Sequence, residues 1–326
     1  MKLFVRTTKE EREWEREHTQ KLRNRSLESD VINKLSYDDG YREKISLFFN
    51  RLVDEKNWIL DVGSHTAGEC EFYSHKGLNI IATDINESAL EISKERCTKF
   101  ERERPVYVAC DGQNLPFADN VIPSITYHES LHHMPDPGRS LREACRVLVP
   151  GGTVMLLEPY AYDPWRRISE IRDYFRGTIE TSFSVKQLRR LLDTAGLKIT
   201  HIERPVIPPS TEKLKYLPSY HRILRLSYFA VRRSLPGMLG MIFCEAKKPG
   251  ERITNQDAPK LNELLVCPQT KAPLLLTEMG YVSTDPNSRL LYPVSESIPV
   301  LIVDDAKVMD VSTWQSVMRS GRVMSD

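Results

Sequence analysis

Between residues 58 and 246 short apolar runs alternate with amphipathic segments, and this alternation restricts the fold more than any other feature. The runs are "WILDV" (58–62), "NIIATD" (79–84), "PVYVAC" (105–110), "IPSITYHE" (122–129), "TVMLLEP" (153–159), "KITHIE" (198–203) and "GMIFCEA" (240–246). Helical patterns fall near 68–75, 87–101, 137–148 and 184–195. Several boundaries have a local cause. Asp136 precedes Pro137, an N-cap followed by proline at the first helical position. Ser184 and Gln187 form a capping box, and Gly196 stands where a helix would end in left-handed geometry. Strand–helix alternation of this kind specifies an α/β fold with a parallel sheet covered on both faces. A ligand of such a sheet sits beyond the carboxyl ends of the strands, at the topological switch point.

The first strand–helix loop is therefore the informative one. It reads "ILDVGSHTAGEC" over residues 59–70. A phosphate-gripping P-loop needs a Gly-Lys-Ser/Thr ending, and this loop has no lysine. In a dinucleotide fingerprint Gly63 and Gly68 fit the first and third glycines. His65 occupies the middle position, where a side chain would collide with a pyrophosphate. Asp84 suits a ribose under either reading. A nucleoside without phosphates remains, and S-adenosylmethionine is the chemically matched case. Its amino-acid tail would meet the turn, with Asp61 taking the ammonium directly or through water. Asp84 would accept from the ribose hydroxyls and Asp111 from the adenine amine. Each aspartate alone is an ordinary loop or cap residue; three at successive strand ends is a pattern.

The stretch 59–159 resembles the class I S-adenosylmethionine-dependent methyltransferases, of the type 11 kind. The resemblance rests on "ILDVG", "ATDINESAL", "CDGQNLPFAD", "YHESLHHMPDP" and "RVLVPGGTVMLLEP", in that order and spacing. It implies a Rossmann-like, doubly wound sheet of seven strands with the last antiparallel. It implies S-adenosyl-L-methionine as cofactor, contacted by Asp61, Gly63, Ser64, His65, Asp84, Ile85, Asp111, Gly112 and Glu129. The family loop is usually D-x-G-x-G-x-G; here His65 and Ala67 replace the second and third glycines. His65 is expected either to adopt left-handed geometry, which histidine tolerates better than branched residues, or to face the cofactor tail.

Methyl transfer is an in-line displacement, so positioning and desolvation are much of the task. A hydroxyl or protonated amine acceptor also needs a base. Residues 127–133, "YHESLHH", follow the fourth strand, so His128, Glu129, His132 and His133 are base candidates, with Glu129 preferred. For the two histidines of "LHH", packing under the loop is as good a reading as catalysis. Tyr127 fits a buried strand position or a ring facing the sulfonium. Glu158 and Tyr160, at the fifth strand's end, are expected to border the acceptor pocket, with Tyr41, Arg166 and Arg176 as further acceptor contacts. The segment 158–183 is aromatic and basic and suits an anionic or aromatic acceptor. The insertion at about 205–238 carries a basic amphipathic helix read as a lid.

Outside the methyltransferase region, 41–250, residues 1–40 read as a charged, solvated helical arm. A polar linker leads to 257–306, where Cys267-Pro268, Lys271, Pro273-Leu274, Tyr292-Pro293 and "IPVLIVDDA" resemble the zinc-ribbon-derived activator subunit of tRNA and protein methyltransferases. Thr270 stands where a second cysteine would be, so a small mostly-β domain without metal is expected. Residues 307–326 read as a tail. Six scattered cysteines suggest a reducing compartment, and a cytoplasmic location is expected. A formal net charge of +1 gives no field for nucleic acid, and no apolar run is long enough for a membrane span. The leading expectation is methyl transfer to a small molecule (at O, N or C; natural-product, sugar or quinone-like), and a homodimer is compatible with it. An RNA or protein methyltransferase and a non-catalytic S-adenosylmethionine-binding scaffold are the alternatives.

Overall fold

The computed structural model describes residues 8–28, 30–35, 38–53, 55–163, 166–167, 170, 182–205, 240–252 and 258–320. Its centre is a nine-stranded sheet. The strands are β1 (Ile59–Val62), β2 (Ile80–Asp84), β3 (Val106–Cys110), β4 (Ile122–His128), β5 (Leu148–Pro159), β6 (Lys198–Glu203), β7 (Met241–Lys247), β11 (Val294–Ser295) and β12 (Ile298–Leu301), in the order β11-β12-β3-β2-β1-β4-β5-β7-β6. β1 to β5 run parallel in their pairings, whereas β7 is antiparallel to both β5 and β6. The switch point lies between β1 and β4, which both flank the start of the chain's progression across the sheet.

Successive residues of each strand enter opposite layers. Leu60, Ile81, Val108 and Ile125 pack with α6 (Pro137–Val147) and α7 (Val185–Thr194) through Leu141, Ala144, Leu188 and Leu192. Ile59, Ile80, Ala82 and Tyr107 pack with α3 (Asp39–Leu52), α4 (Gly68–His75) and α5 (Glu87–Lys99) through Phe48, Cys70, Tyr73 and Leu90. The caps act locally as their residue types dictate. Asp136 accepts from the Arg139 amide, Ser184 and Gln187 close a capping box, and Gly196 has φ 85°.

Two features depart from the sequence expectations. The sheet has nine strands rather than seven, because the segment after residue 260 contributes two. β12 pairs in parallel with β3, Val300 beside Ala109 and Leu301 beside Cys110, and β11 forms a hairpin with β12. Apolar residues alternate along β12, so Ile298 and Val300 enter one layer and Leu301 the other. The remaining strands of this segment, β8 (Leu274–Thr277), β9 (Gly280–Ser283), β10 (Leu290–Tyr292) and β13 (Lys307–Val308), form a separate antiparallel sheet ordered β13-β10-β9-β8. Leu264, Leu265, Cys267 and Tyr292 are continuous with the main core. Lys271 reaches Asn114 at 2.9 Å and Glu143 at 3.1 Å.

The second departure concerns α1 (Thr8–Glu28), expected to be solvated. It lies against α5. Arg12, 6% exposed, bonds Glu87 at 3.0 Å and Asp305 at 2.5 Å; Arg16 and Arg23 pair with Glu87 and Glu95. Charge, not an apolar stripe, holds this helix, which explains why hydrophobic periodicity does not reveal it. The 307–326 stretch includes a helix at Val311–Ser320. Among the described residues no helix is long and apolar enough to cross a membrane, and no cluster of three His, Cys, Asp or Glu could hold a metal ion.

Candidate functional site

The loop after β1 is built by three left-handed residues, Gly63 (φ 77°), His65 (φ 47°) and Ala67 (φ 49°). Gly63 is required by close approach as well: a Cβ there would stand 2.6 Å from the Cβ of Ser130. Asp61 is 3% exposed and faces inward. It accepts from Ser64 Oγ at 2.7 Å, Thr126 Oγ1 at 2.6 Å and Cys70 Sγ at 3.2 Å. Ser64, expected among the cofactor contacts, ties the turn to β2, its Oγ accepting from the Thr83 amide at 3.1 Å. Asp61 and Ser64 thus shape the loop from beneath. His65 approaches Thr19 of α1, Nε2 to Oγ1 3.4 Å, and Asn86 donates to the same hydroxyl at 2.9 Å. The helix α1 therefore lies over the rim of this loop.

Asp84 ends β2 and accepts from the His65 amide at 2.7 Å on Oδ2 and from the Asn86 amide at 2.9 Å on Oδ1. Each carboxylate oxygen has two acceptor sites, so both keep capacity for a ligand hydroxyl. Burial raises the Asp84 carboxyl above the usual range, with His65 opposing. Ile85 beside it is half-buried against the apolar layer. Asp111 follows β3 and accepts from Gln113 on Oδ1, at 2.8 Å from the amide and 3.3 Å from the side chain. Gly112 is tightly enclosed: a Cβ would stand 2.6 Å from Met134 Cε and 2.8 Å from Val62 Cγ1. No lysine or arginine lies in loop 63–67. The acids at adjacent strand ends, beside a loop without lysine or arginine of its own, fit a phosphate-free nucleoside bearing hydroxyls and positive charge.

After β4 the chain turns at Glu129, also left-handed (φ 54°). Glu129 pairs with Lys44 of α3, a residue the sequence patterns do not single out. Ser130 donates to the Val62 carbonyl at 2.5 Å, which sets the two loops side by side. Glu158 was expected at the acceptor pocket's border. It is instead fully buried under this loop, where it accepts from the Leu131 amide at 2.9 Å, the His132 amide at 3.3 Å and His132 Nδ1 at 2.7 Å. Burial pushes its carboxyl up to about 8, with the Leu131 amide opposing. The pairing fixes the orientation of the His132 ring against Glu158. His133 packs against His132 with centroids 4.1 Å apart and the rings tilted by 37°.

His128, a base candidate by position, is enclosed. Phe48 lies 3.7 Å from its ring centroid, Tyr73 Oη 3.3 Å from Nε2 and Asp61 Oδ1 3.9 Å from the same atom. Tyr127 is a core residue whose hydroxyl meets Ser140 Oγ at 2.9 Å. Tyr160 is half-buried, takes a hydrogen bond from Arg204 at 3.1 Å and packs edge-on against exposed Tyr162. Arg204 is thus a basic neighbour that periodicity did not mark. The Arg166 amide donates to Asp163 at 3.2 Å. The hydroxyl of Tyr41 is buried with no hydrogen-bond partner. Arg176 and the lid insertion, apart from its first residue, lie outside the described residues.

Residues 60–156 match a family model described as a methyltransferase domain. The demethylmenaquinone methyltransferase of Renibacterium salmoninarum is 32% identical over 100 residues, 31% of this chain and 40% of that protein. A ubiquinone/menaquinone biosynthesis C-methyltransferase of Francisella tularensis subsp. tularensis is 37% identical over 90 residues, 27% of this chain and 36% of the relative. The match thus spans about two fifths of the length of these curated relatives. Among solved structures, the complex of the Haloferax volcanii Trm112 methyltransferase activator with a methyltransferase contains a chain that superposes with a TM-score of 0.53. It is 16% identical, with 73% of this chain and 99% of that chain covered. The [4+2]-cyclase SpnF gives 0.50 at 18% identity, with coverage of 73% and 97%. These two likenesses concern the fold, and a cyclase among them illustrates that fold does not fix chemistry. Residues 60–156 thus match a methyltransferase domain, and the strand order and the structural likenesses show a Rossmann-like α/β fold around them.

Proposed function

We propose that this protein is an S-adenosylmethionine-dependent methyltransferase acting on a small-molecule acceptor. The observation that carries the reading is the placement of Asp84 and Asp111 at adjacent strand ends, each with accepting capacity to spare, beside the loop that bears Glu129. Asp84 would hold the ribose hydroxyls and Asp111 the adenine amine. Asp61 shapes the loop that would meet the amino-acid tail. S-adenosylmethionine supplies a methyl group already activated on a sulfonium. Glu129, and after it His132, are the candidates to take an acceptor proton. Tyr160, Tyr162 and Arg204 offer an aromatic and basic wall for an acceptor with a planar or anionic part.

Isothermal calorimetry with S-adenosylmethionine and S-adenosylhomocysteine tests the proposal. Asp84→Ala should weaken both by about 100-fold, the loss of about two charge-assisted hydrogen bonds. Unchanged affinity removes the ribose assignment, and a wild-type protein that ignores both compounds at millimolar concentration removes the function.

A second reading, transfer to RNA or protein, draws support from the C-terminal segment and its resemblance to an activator subunit. Steeply salt-dependent RNA binding would favour it.

A further inference from the structure

The register of α3 against β4 sets up a contact that stability does not explain. Ile45, Phe48 and Leu52 form the buried face of α3. Phe48 covers His128, the last residue of β4. Lys44, one turn earlier on α3, meets the next residue of the chain, Glu129. The side chains are 27% and 38% exposed, so the pair opens to solvent at the carboxyl edge of the sheet. A half-exposed pair of this kind contributes on the order of 1 kcal/mol. Holding a non-glycine residue in left-handed geometry costs about 1–2 kcal/mol. The strain at Glu129 is thus comparable to what the ion pair returns, and strain of this kind clusters at functional positions.

The charged groups that face Lys44 are Glu129 at the end of β4, Glu69 in the first turn of α4 and Asp38 at the N-cap of α3. Burial lowers the Lys44 pKa, but these acids outweigh it and keep the ammonium charged. Lys44 is thus a fixed cation next to the carboxylate best placed to take a proton.

We propose that Lys44 holds the hydroxyl oxygen of a phenol or enol acceptor as an oxyanion while Glu129 takes its proton. This deepens, and rests on, the methyltransferase reading. The acceptor O–H bond breaks and its proton passes to the Glu129 carboxylate. Lys44 then pairs with the new oxyanion in place of the neutralised Glu129, so local charge is conserved. The oxyanion's electron pair forms the bond to the methyl carbon, at oxygen or at the conjugated ring carbon. The carbon–sulfur bond breaks with its pair staying on sulfur, and at carbon the displaced ring proton leaves to water. An amine acceptor, arriving as an ammonium, would be repelled by Lys44.

The probe is 4-nitrophenol, whose ionised form alone is yellow, titrated with and without S-adenosylhomocysteine. Wild-type protein should bind the ionised form, with about tenfold more anion at a given pH than in free solution, one pKa unit. Lys44→Met should abolish this enrichment, Lys44→Arg should keep it, and Glu129→Gln should increase it by removing a like charge. Equal enrichment in wild type and Lys44→Met overturns the proposal, as does absence of bound phenolate in wild type under both conditions. Failure of S-adenosylhomocysteine to bind in calorimetry counts against the methyltransferase reading separately.

Discussion

The loops after β1 and β4 lie side by side, joined by the Ser130–Val62 hydrogen bond, yet they are braced by different chemistry. Both contain non-glycine residues in left-handed geometry, His65 and Ala67 in one, Glu129 in the other. Each rests on a buried carboxylate, Asp61 or Glu158. Asp61 is met by two hydroxyls and a thiol, and the loop above it is also held by Arg96, whose guanidinium donates to the Thr66 carbonyl at 2.5 Å. Glu158 is met by two amides and an imidazole, and the loop above it carries a half-exposed ion pair. The first loop is a fixed floor of hydroxyl, thiol and guanidinium donors. The second rests on Glu158, whose carboxyl burial pushes up to about 8. A site that binds one ligand constantly and exchanges protons with another needs that division.

The comparison breaks most severely at Arg96. It is 1% exposed and binds Glu71, itself fully buried, through Nε at 2.9 Å and Nη2 at 2.5 Å. It also donates to the Ser26 carbonyl of α1 at 3.0 Å. Arg96→Met leaves the Glu71 carboxylate buried with Ser93 as its remaining hydrogen-bond donor. Urea unfolding should show a loss of about 3–5 kcal/mol, with the first loop and α1 loosened together. A loss below about 1 kcal/mol would mean that the first loop is not anchored from α5.

The second loop should respond to pH where the first does not. Burial holds the Glu158 carboxyl near 8 in the folded protein, against about 4.3 in an unfolded chain. A carboxyl raised on folding contributes stability that is complete below the unfolded value and is lost as pH rises through the folded one. Between about pH 5 and about pH 8 the loss amounts to at most about 1.4 kcal/mol per pH unit. Glu158→Gln keeps an acceptor for the Leu131 amide but cannot ionise. Its unfolding midpoints should therefore fall less steeply over that range than those of wild type. Parallel curves would show that the Glu158–His132 pair does not titrate as a unit of the loop brace.

Much of this arrangement was legible in the sequence, and the illegible part has a physical pattern. β6 spans 198–203 and α4 spans 68–75 as expected, and the ends of α6 and α7 fall within a residue of those expected, because Pro137, Ser184 and Gly196 act on their immediate neighbours. Asp84 and Asp111 stand at their strand ends because strand length places them there. The contacts that escaped sequence reading are long-range and polar. Arg12 with Asp305, Lys44 with Glu129, and Arg96 with Glu71 join residues 293, 85 and 25 positions apart, and no local pattern encodes them. Glu158 was placed correctly on β5 but not given its direction, since a strand-end acid can turn out to a ligand or in to a loop. The pairing of β12 with β3 escaped for a similar reason. An apolar run of four residues is a strand in any context, and only the open edge of β3 decides which sheet it joins.

The finest division between the loops lies in their strained residues. Ala67 has φ 49° and ψ 35°, is 1% exposed, and caps α4 without a side-chain hydrogen bond. Glycine there would relieve about 1 kcal/mol of backbone strain. The same change removes a buried methyl worth about 0.8 kcal/mol and gives the unfolded chain more freedom, a further cost of a few tenths up to about 1 kcal/mol. Ala67→Gly should therefore shift stability by less than about 1 kcal/mol, toward destabilisation. Glu129→Gly relieves similar strain at a residue whose side chain is 38% exposed and loses the half-exposed pair with Lys44, so its stability should equal or exceed that of Ala67→Gly. Thermal unfolding of the two variants in one buffer makes the test. If Glu129→Gly is the less stable by more than about 1 kcal/mol, Glu129 is a structural strut like Asp61, and the contrast between a fixed loop and a proton-exchanging one loses its basis.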